Sequence, residues 1–153
     1  MVIEEKIKEL GLYWPKQSPK PMANYVSLRR SGVLLFLSGA GPFIDGEARY
    51  VGKVGEELSV QEAYEAARIS AVNLLSTIHA EVGSLEKIRV LKLLGFVNSA
   101  NDFFQQPEVI NGASDLIVEI LGDNGKHART AIGTNVLPFN IPVEIELIAE
   151  LLE

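Results

Sequence analysis

From Val143 to Leu151 every second residue is apolar (Val143, Ile145, Leu147, Ala149, Leu151), and this period constrains the fold more than any other feature of the chain. A strand points successive side chains to opposite faces, so the segment must bury one face against a core and present the other. Glu144 and Glu146 fall together on that second face. Just upstream, the run from Ala128 to Val136 reads as another strand and carries Arg129, and Leu137-Pro138-Phe139-Asn140 between the two has turn chemistry. The spacing predicts an antiparallel hairpin whose register stays open. A centre between Val136 and Leu137 pairs Arg129 with Glu144. A centre between Pro138 and Phe139 pairs Arg129 with Ile148 and Glu144 with Gly133. Both registers put Arg129 and Glu144 on one face, whereas a slip of one residue does not. By itself such a cross-strand pair is a solvated ion pair contributing about 0–1 kcal/mol.

The remaining elements follow from similar signals. Val2 to Leu10 is a short amphipathic helix stopped by Gly11, and Trp14 to Met22, with Pro15, Pro19 and Pro21, is an extended arm that Tyr13 and Trp14 pin to the core. Tyr25–Arg30 and Val33–Ser38 flank Ser31-Gly32 as a hairpin, the second strand being central and ending in the small-residue bend Ser38-Gly39-Ala40-Gly41. Such a bend either simply ends a strand or lets a ligand approach the backbone. Glu47–Val54 reads as a further strand. Ser59-Val60-Gln61-Glu62 is a capping box that opens a helix over Val60–Val82, closed by Gly83. Ile88–Val97 is a buried strand, Asn98–Asp102 a loop, and Pro107 begins a helix that runs to Gly122. His79 is expected to be solvated near the end of its helix, and His127 to be an exposed strand-entry residue. Two helices on one face of a mostly antiparallel or mixed sheet make an α+β layer architecture in a single domain, residues 1–153, with residues 1–24 as helix and arm. The other sheet face, with its acids, Arg129 and apolar residues such as Ile148, suits a subunit interface or solvent equally.

Composition narrows the chemistry. The chain has 153 residues, no cysteine and two histidines, which removes thiol nucleophiles and disulfides and argues against a dedicated metal site. Twenty acids against 14 bases give a net charge of −6, unsuited to a surface that tracks phosphates. No apolar run reaches a membrane span and Val2 to Leu10 is too charged for a signal peptide, so no membrane partner and a cytoplasmic location are expected.

Together these residues resemble the Rid, or YjgF, family of reactive imine and enamine deaminases. The signature lies in the Arg129 strand, Leu137-Pro138 and Val143-Glu144-Ile145-Glu146, supported by Leu37-Ser38-Gly39, Asn98–Asp102 and Val109-Ile110-Asn111; the first 24 residues are similar to the extension of a longer branch. The resemblance implies a chorismate-mutase-like fold and a homotrimer with sites in clefts between subunits. It implies hydrolysis of 2-aminoacrylate-type imines to 2-keto acids and ammonia without metal or organic cofactor. Arg129 would then clamp the substrate carboxylate, as its planar fork allows, and Glu144 would activate water. Ser38, Gly39, Tyr25 and Asn111 would help to hold the ligand. Ala131 stands where many members carry cysteine; its backbone amide keeps any contact that a thiol is not needed for. Glu146 would be structural. A trimer that binds small carboxylates without turning them over is the alternative, and RNA cleavage, reported for the wider family, is disfavoured by the acidic balance.

Overall fold

The computed structural model describes residues 2–153. In chain order the elements are α1 (Ile3–Glu9), β1 (Leu28–Ser31), β2 (Leu34–Leu37), β3 (Phe43–Ile44), β4 (Glu47–Ala48), α2 (Val60–Val82), β5 (Ile88–Asn98), α3 (Gln106–Leu121), β6 (Ala128–Thr134) and β7 (Val143–Leu151). The main sheet has the order β1-β2-β7-β5-β6, and β3 with β4 forms a separate small hairpin. All of its pairings are antiparallel except β5 with β6. The sheet is therefore mixed, as the α+β expectation allowed.

The capping box forms as its residue types require. The Ser59 hydroxyl accepts from the Glu62 amide and the Glu62 carboxylate accepts from the Ser59 amide, so two donors that the helix start would leave unpaired are satisfied. Ala63, Ala66, Ala67, Ala71, Leu74, Leu75 and Ile78 bury one side of α2. Alanine-rich surfaces permit close helix approach, and α3 crosses α2 at Gly112, where a β-carbon would lie 2.0 Å from the Tyr64 carbonyl oxygen. Both helices lie on one sheet face, over Leu35, Leu93, Val97, Val143, Ile145, Leu147 and Ala149, all fully or nearly fully buried. At about 25 cal/mol per Å² of apolar surface, each large side chain in this layer contributes roughly 1.5–3 kcal/mol of burial free energy.

The alternation in β7 is borne out: Val143, Ile145, Leu147 and Ala149 are buried, and Glu146 is exposed. The expected hairpin is not. Strand β5 lies between β6 and β7, parallel to the first and antiparallel to the second. Arg129 stands beside Leu93, which pairs with Leu147, whereas Glu144 pairs with Phe96, which stands beside Ile132. Neighbours across a sheet share a face, so Arg129 belongs to the helix-covered face and Glu144 to the open one. The expectation of a shared face fails because a third strand, long and largely apolar, lies between β6 and β7 and pairs with both. Two smaller differences concern Glu47–Val54, of which only Glu47–Ala48 is strand, and the segment after Leu137, a 3-10 turn over Pro138–Asn140 with Phe139 and Asn140 at positive φ.

The arm is anchored as its aromatics suggest. Trp14 meets the His79 ring edge-on at a centroid distance of 6.2 Å, and His79 reaches Glu4 of α1 at 3.6 Å. His79 thus ties α1 and the arm to the end of α2 instead of standing in solvent. Among the described residues no helix is long and apolar enough to cross a membrane.

Candidate active site

The bend after β2 and the open face of β7 meet at a cleft of about 1010 Å³. A single pair of reciprocal backbone hydrogen bonds between Ala40 and Ile145, 2.8 and 3.0 Å, pins the bend to β7. This brings Gly39 under Glu144. A β-carbon on residue 39 would sit 2.9 Å from Glu144 Cγ and 3.0 Å from its Oε2, so only glycine leaves the carboxylate where it is.

Tyr25, Ser38, Gly39, Glu144 and Glu146 all line this cleft, with the arm forming its outer wall. The Ser38 hydroxyl donates to the Val26 carbonyl at 2.6 Å, so toward a ligand it presents only lone pairs. The Tyr25 hydroxyl accepts from the Met22 amide at 3.4 Å and so holds the arm as well as facing the cleft. Glu144 is half-buried, and its pKa is raised above the usual carboxylate range, first by loss of solvation and then by the neighbouring charge of Glu146. Such a group takes and returns a proton closer to neutrality than a free carboxylate does.

The remaining expected residues gather elsewhere. Arg129, on the edge strand β6, donates from Nη1 to Asn111 Oδ1 at 2.7 Å and to Ser114 Oγ at 3.3 Å, and from Nη2 to the Pro107 carbonyl at a long 3.5 Å. Helix α3 therefore takes up both hydrogens of Nη1 and one of Nη2, and the Nε hydrogen with the second Nη2 hydrogen forms the remaining edge. That edge matches the two oxygens of a carboxylate. Asn111 is thus engaged by the arginine and not an idle helix residue. Ala131 is two residues on, on the same side of β6 and beside Gly95.

Sequence reasoning missed two groups here. Ser114 lies one helical turn beyond Asn111, and its spacing gave no sign of a role. His127 is half-buried, not an exposed entry residue: its Nδ1 is 2.6 Å from the Gly125 carbonyl and its Nε2 is 2.9 Å from Ser114 Oγ. Asn98, expected to open a loop, is instead the last residue of β5, where its ladder partners continue, and it is fully buried, with its side chain joined to Lys53, Asn140 and the Gly52 and Ile141 carbonyls. It ties the Gly52–Lys53 loop to the Pro138–Ile141 segment, which borders the cleft. Among the described residues no three His, Asp or Glu side chains are placed to hold a metal ion.

A mixed five-stranded sheet backed by two helices, with this loop over an acid-bearing strand, defines a chorismate-mutase-like class of proteins. The family model described as "YjgF/chorismate_mutase-like, putative endoribonuclease" matches residues 4–151, and the chain belongs to that family. Protein TCP17 of Trypanosoma cruzi is 40% identical over 151 residues, covering 97% of this chain and 94% of its own length. A crystal structure of a protein of unknown function from Agrobacterium tumefaciens is 46% identical with a TM-score of 0.91, covering 97% of this chain and 92% of that one. A Shewanella oneidensis structure with the endoribonuclease description is 30% identical with a TM-score of 0.94, covering 99% and 100%.

Proposed function

We propose that the protein is a homotrimeric hydrolase that deaminates reactive imines of the 2-aminoacrylate type, each site being completed across a subunit boundary. The observation that carries this reading is the seating of Glu144. It is a half-buried carboxylate with a raised pKa, fitted against Gly39 in a cleft. Arg129 supplies the complement, a guanidinium pre-oriented by Asn111 at 2.7 Å. Within one chain the two lie on opposite faces of the sheet, so a neighbour's Arg129 is needed to reach the ligand beside Glu144. The open sheet face, with Phe36 and Ile132 each about two-fifths exposed (41% and 43%), is suited to that packing.

The chemistry then runs as follows. The arginine holds the substrate carboxylate in two parallel hydrogen bonds and fixes the adjacent C=N carbon. Glu144 takes a proton from water as the oxygen bonds to that carbon, and the proton passes to nitrogen. The tetrahedral adduct then breaks its C–N bond, releasing ammonia and leaving a 2-keto acid. Positioned acid–base catalysis of this kind contributes about 10²–10⁴ in rate, sufficient for an already electrophilic imine.

The test measures ammonia and keto-acid release from freshly generated 2-aminoacrylate. Arg129→Ala and Glu144→Gln homotrimers should each be inactive, and co-assembled subunits of the two variants should regain part of the wild-type rate. Wild-type protein no faster than Arg129→Ala would sink the reading. The family's endoribonuclease description supplies a rival, against which stand the net charge of −6 and a cleft that pairs Glu144 with Glu146; RNA cleavage that survives exhaustive purification and is lost in Glu144→Gln would favour it.

A further inference from the structure

We propose that His127, acting through Ser114, is a positioning residue for Arg129 and works in its neutral form with the proton on Nδ1. The inference rests on the reading of Arg129 as a carboxylate clamp and adds two residues to it. The Gly125 carbonyl, 2.6 Å from Nδ1, can only accept, so Nδ1 carries the proton and Nε2 offers a lone pair. Ser114 Oγ, 2.9 Å away, donates to that lone pair. With its proton so directed, the hydroxyl oxygen turns its own lone pairs to Arg129 Nη1 at 3.3 Å. The direction of every bond in the row from Gly125 to Arg129 is thereby set by one backbone carbonyl. Asn111 holds the same Nη1 at 2.7 Å, so the two hydrogens of that nitrogen have two fixed acceptors.

Protonation would reverse the row. An imidazolium must donate from Nε2, Ser114 must turn its proton elsewhere, and two cations would face each other across one hydroxyl. The surroundings favour the neutral ring: burial, and then the charge of Arg129, act to lower its pKa, opposed by the bond to Gly125. Several other charges on the elements around it are occupied elsewhere. Asp123 and Lys126, in the turn before β6, pair with one another at 2.8 Å. Asp115 of α3 accepts from Tyr64 at 2.8 Å, Glu119 lies 4.0 Å from Arg68, and Lys92 of β5 donates to Thr130 at 3.0 Å.

The experiment combines nitrogen-detected NMR of the intact protein with calorimetric titration of pyruvate as the carboxylate probe. In the wild type His127 should show the Nδ1–H tautomer at neutral pH, and rotation of the Arg129 guanidinium should be slow. That rotation should quicken in Ser114→Ala and His127→Phe, and in the wild type as His127 is protonated. Kd for pyruvate should rise about tenfold in either variant, as loss of one hydrogen bond implies, and no further in the double variant. An Nε2–H tautomer, unchanged arginine rotation, or strictly additive losses would overturn the proposal, and since the tautomer and rotation are read without ligand, they decide it even if a variant binds poorly. Pyruvate bound equally well by Arg129→Ala would instead remove the clamp reading, and the positioning role with it.

Discussion

The Glu144 carboxylate lies directly over Gly39, with room for a hydrogen between them and no room for a methyl group. The bend after β2 and the acid on β7 are therefore one unit: the backbone of the first sets the position of the second. Gly39→Ala should push Glu144 aside by a fraction of an ångström to an ångström. Misplacement on that scale costs on the order of 10² in rate. The expected result is a fall in kcat of that size with an unchanged circular dichroism spectrum.

Glu146 raises the pKa of its neighbour by repulsion, the smaller of the two causes. If Glu144 works as a base it must be ionised, so activity falls as pH drops through that raised value. Glu146→Gln removes the repulsion and lets Glu144 stay ionised to lower pH. The acid limb of the rate profile should move down in pH, while the plateau rate near neutrality stays within about threefold. An acid limb that stays put would assign the limb to another group.

The same raised pKa has a thermodynamic sign. Folding favours the protonated carboxyl, so its stabilising contribution is complete below the unfolded value of about 4.3 and is lost as pH rises through the folded value. At neutral pH the ionised Glu144 therefore weakens the fold. Glu144→Gln should raise Tm at pH 7 and give no gain at pH 4, while activity drops about 10²–10⁴-fold. Loss of activity together with a lower Tm at pH 7 would contradict the assignment.

Asn98 is fully buried, and its side chain serves four partners drawn from Gly52, Lys53, Asn140 and Ile141. Asn98→Ala leaves the buried Gly52 and Ile141 carbonyls without this donor, while the more exposed Lys53 and Asn140 can turn to water. A destabilisation of about 2–4 kcal/mol is expected, read as a lower urea midpoint at constant m-value. Since Ile141 borders the cleft, KM should rise even under conditions where the variant is fully folded.

Local chemistry was legible in the sequence, and non-local pairing was not. Ser59, Glu62 and Gly83 bound α2 where their side chains and backbone freedom require, because capping is settled within four residues. The two-residue period of β7 named its buried face correctly for the same reason. The hairpin between β6 and β7 failed because adjacency along the chain was read as adjacency in the sheet. Ile88 to Val97 already carried a signal against it: its length and its Val, Ile, Leu and Phe content read as a buried strand, an interior strand needs a partner on each edge, and β6 and β7 were the strands left to supply them. Tyr25, Ser38 and Gly39 meet Glu144 in the cleft through the long-range pairing of Ala40 with Ile145, which the family signature pointed to and the spacing of the residues did not. The partnership of Arg129 with Ser114 and His127 depends on how α3 lies across β6, which no spacing within either element encodes.

The strand order has a consequence for synthesis. β7 joins β2 to β5, so until residues 143–151 have been made the sheet exists only as two unconnected pairs, β1 with β2 and β5 with β6. Each pair exposes along one edge the backbone groups that β7 will later bond. A nascent chain must keep these two pairs apart and soluble until β7 closes them, across loops whose ordering entropy is recovered only at that step. The five-stranded sheet should accordingly form only once β7 is present, and chains released before β7 is complete should be the ones that aggregate.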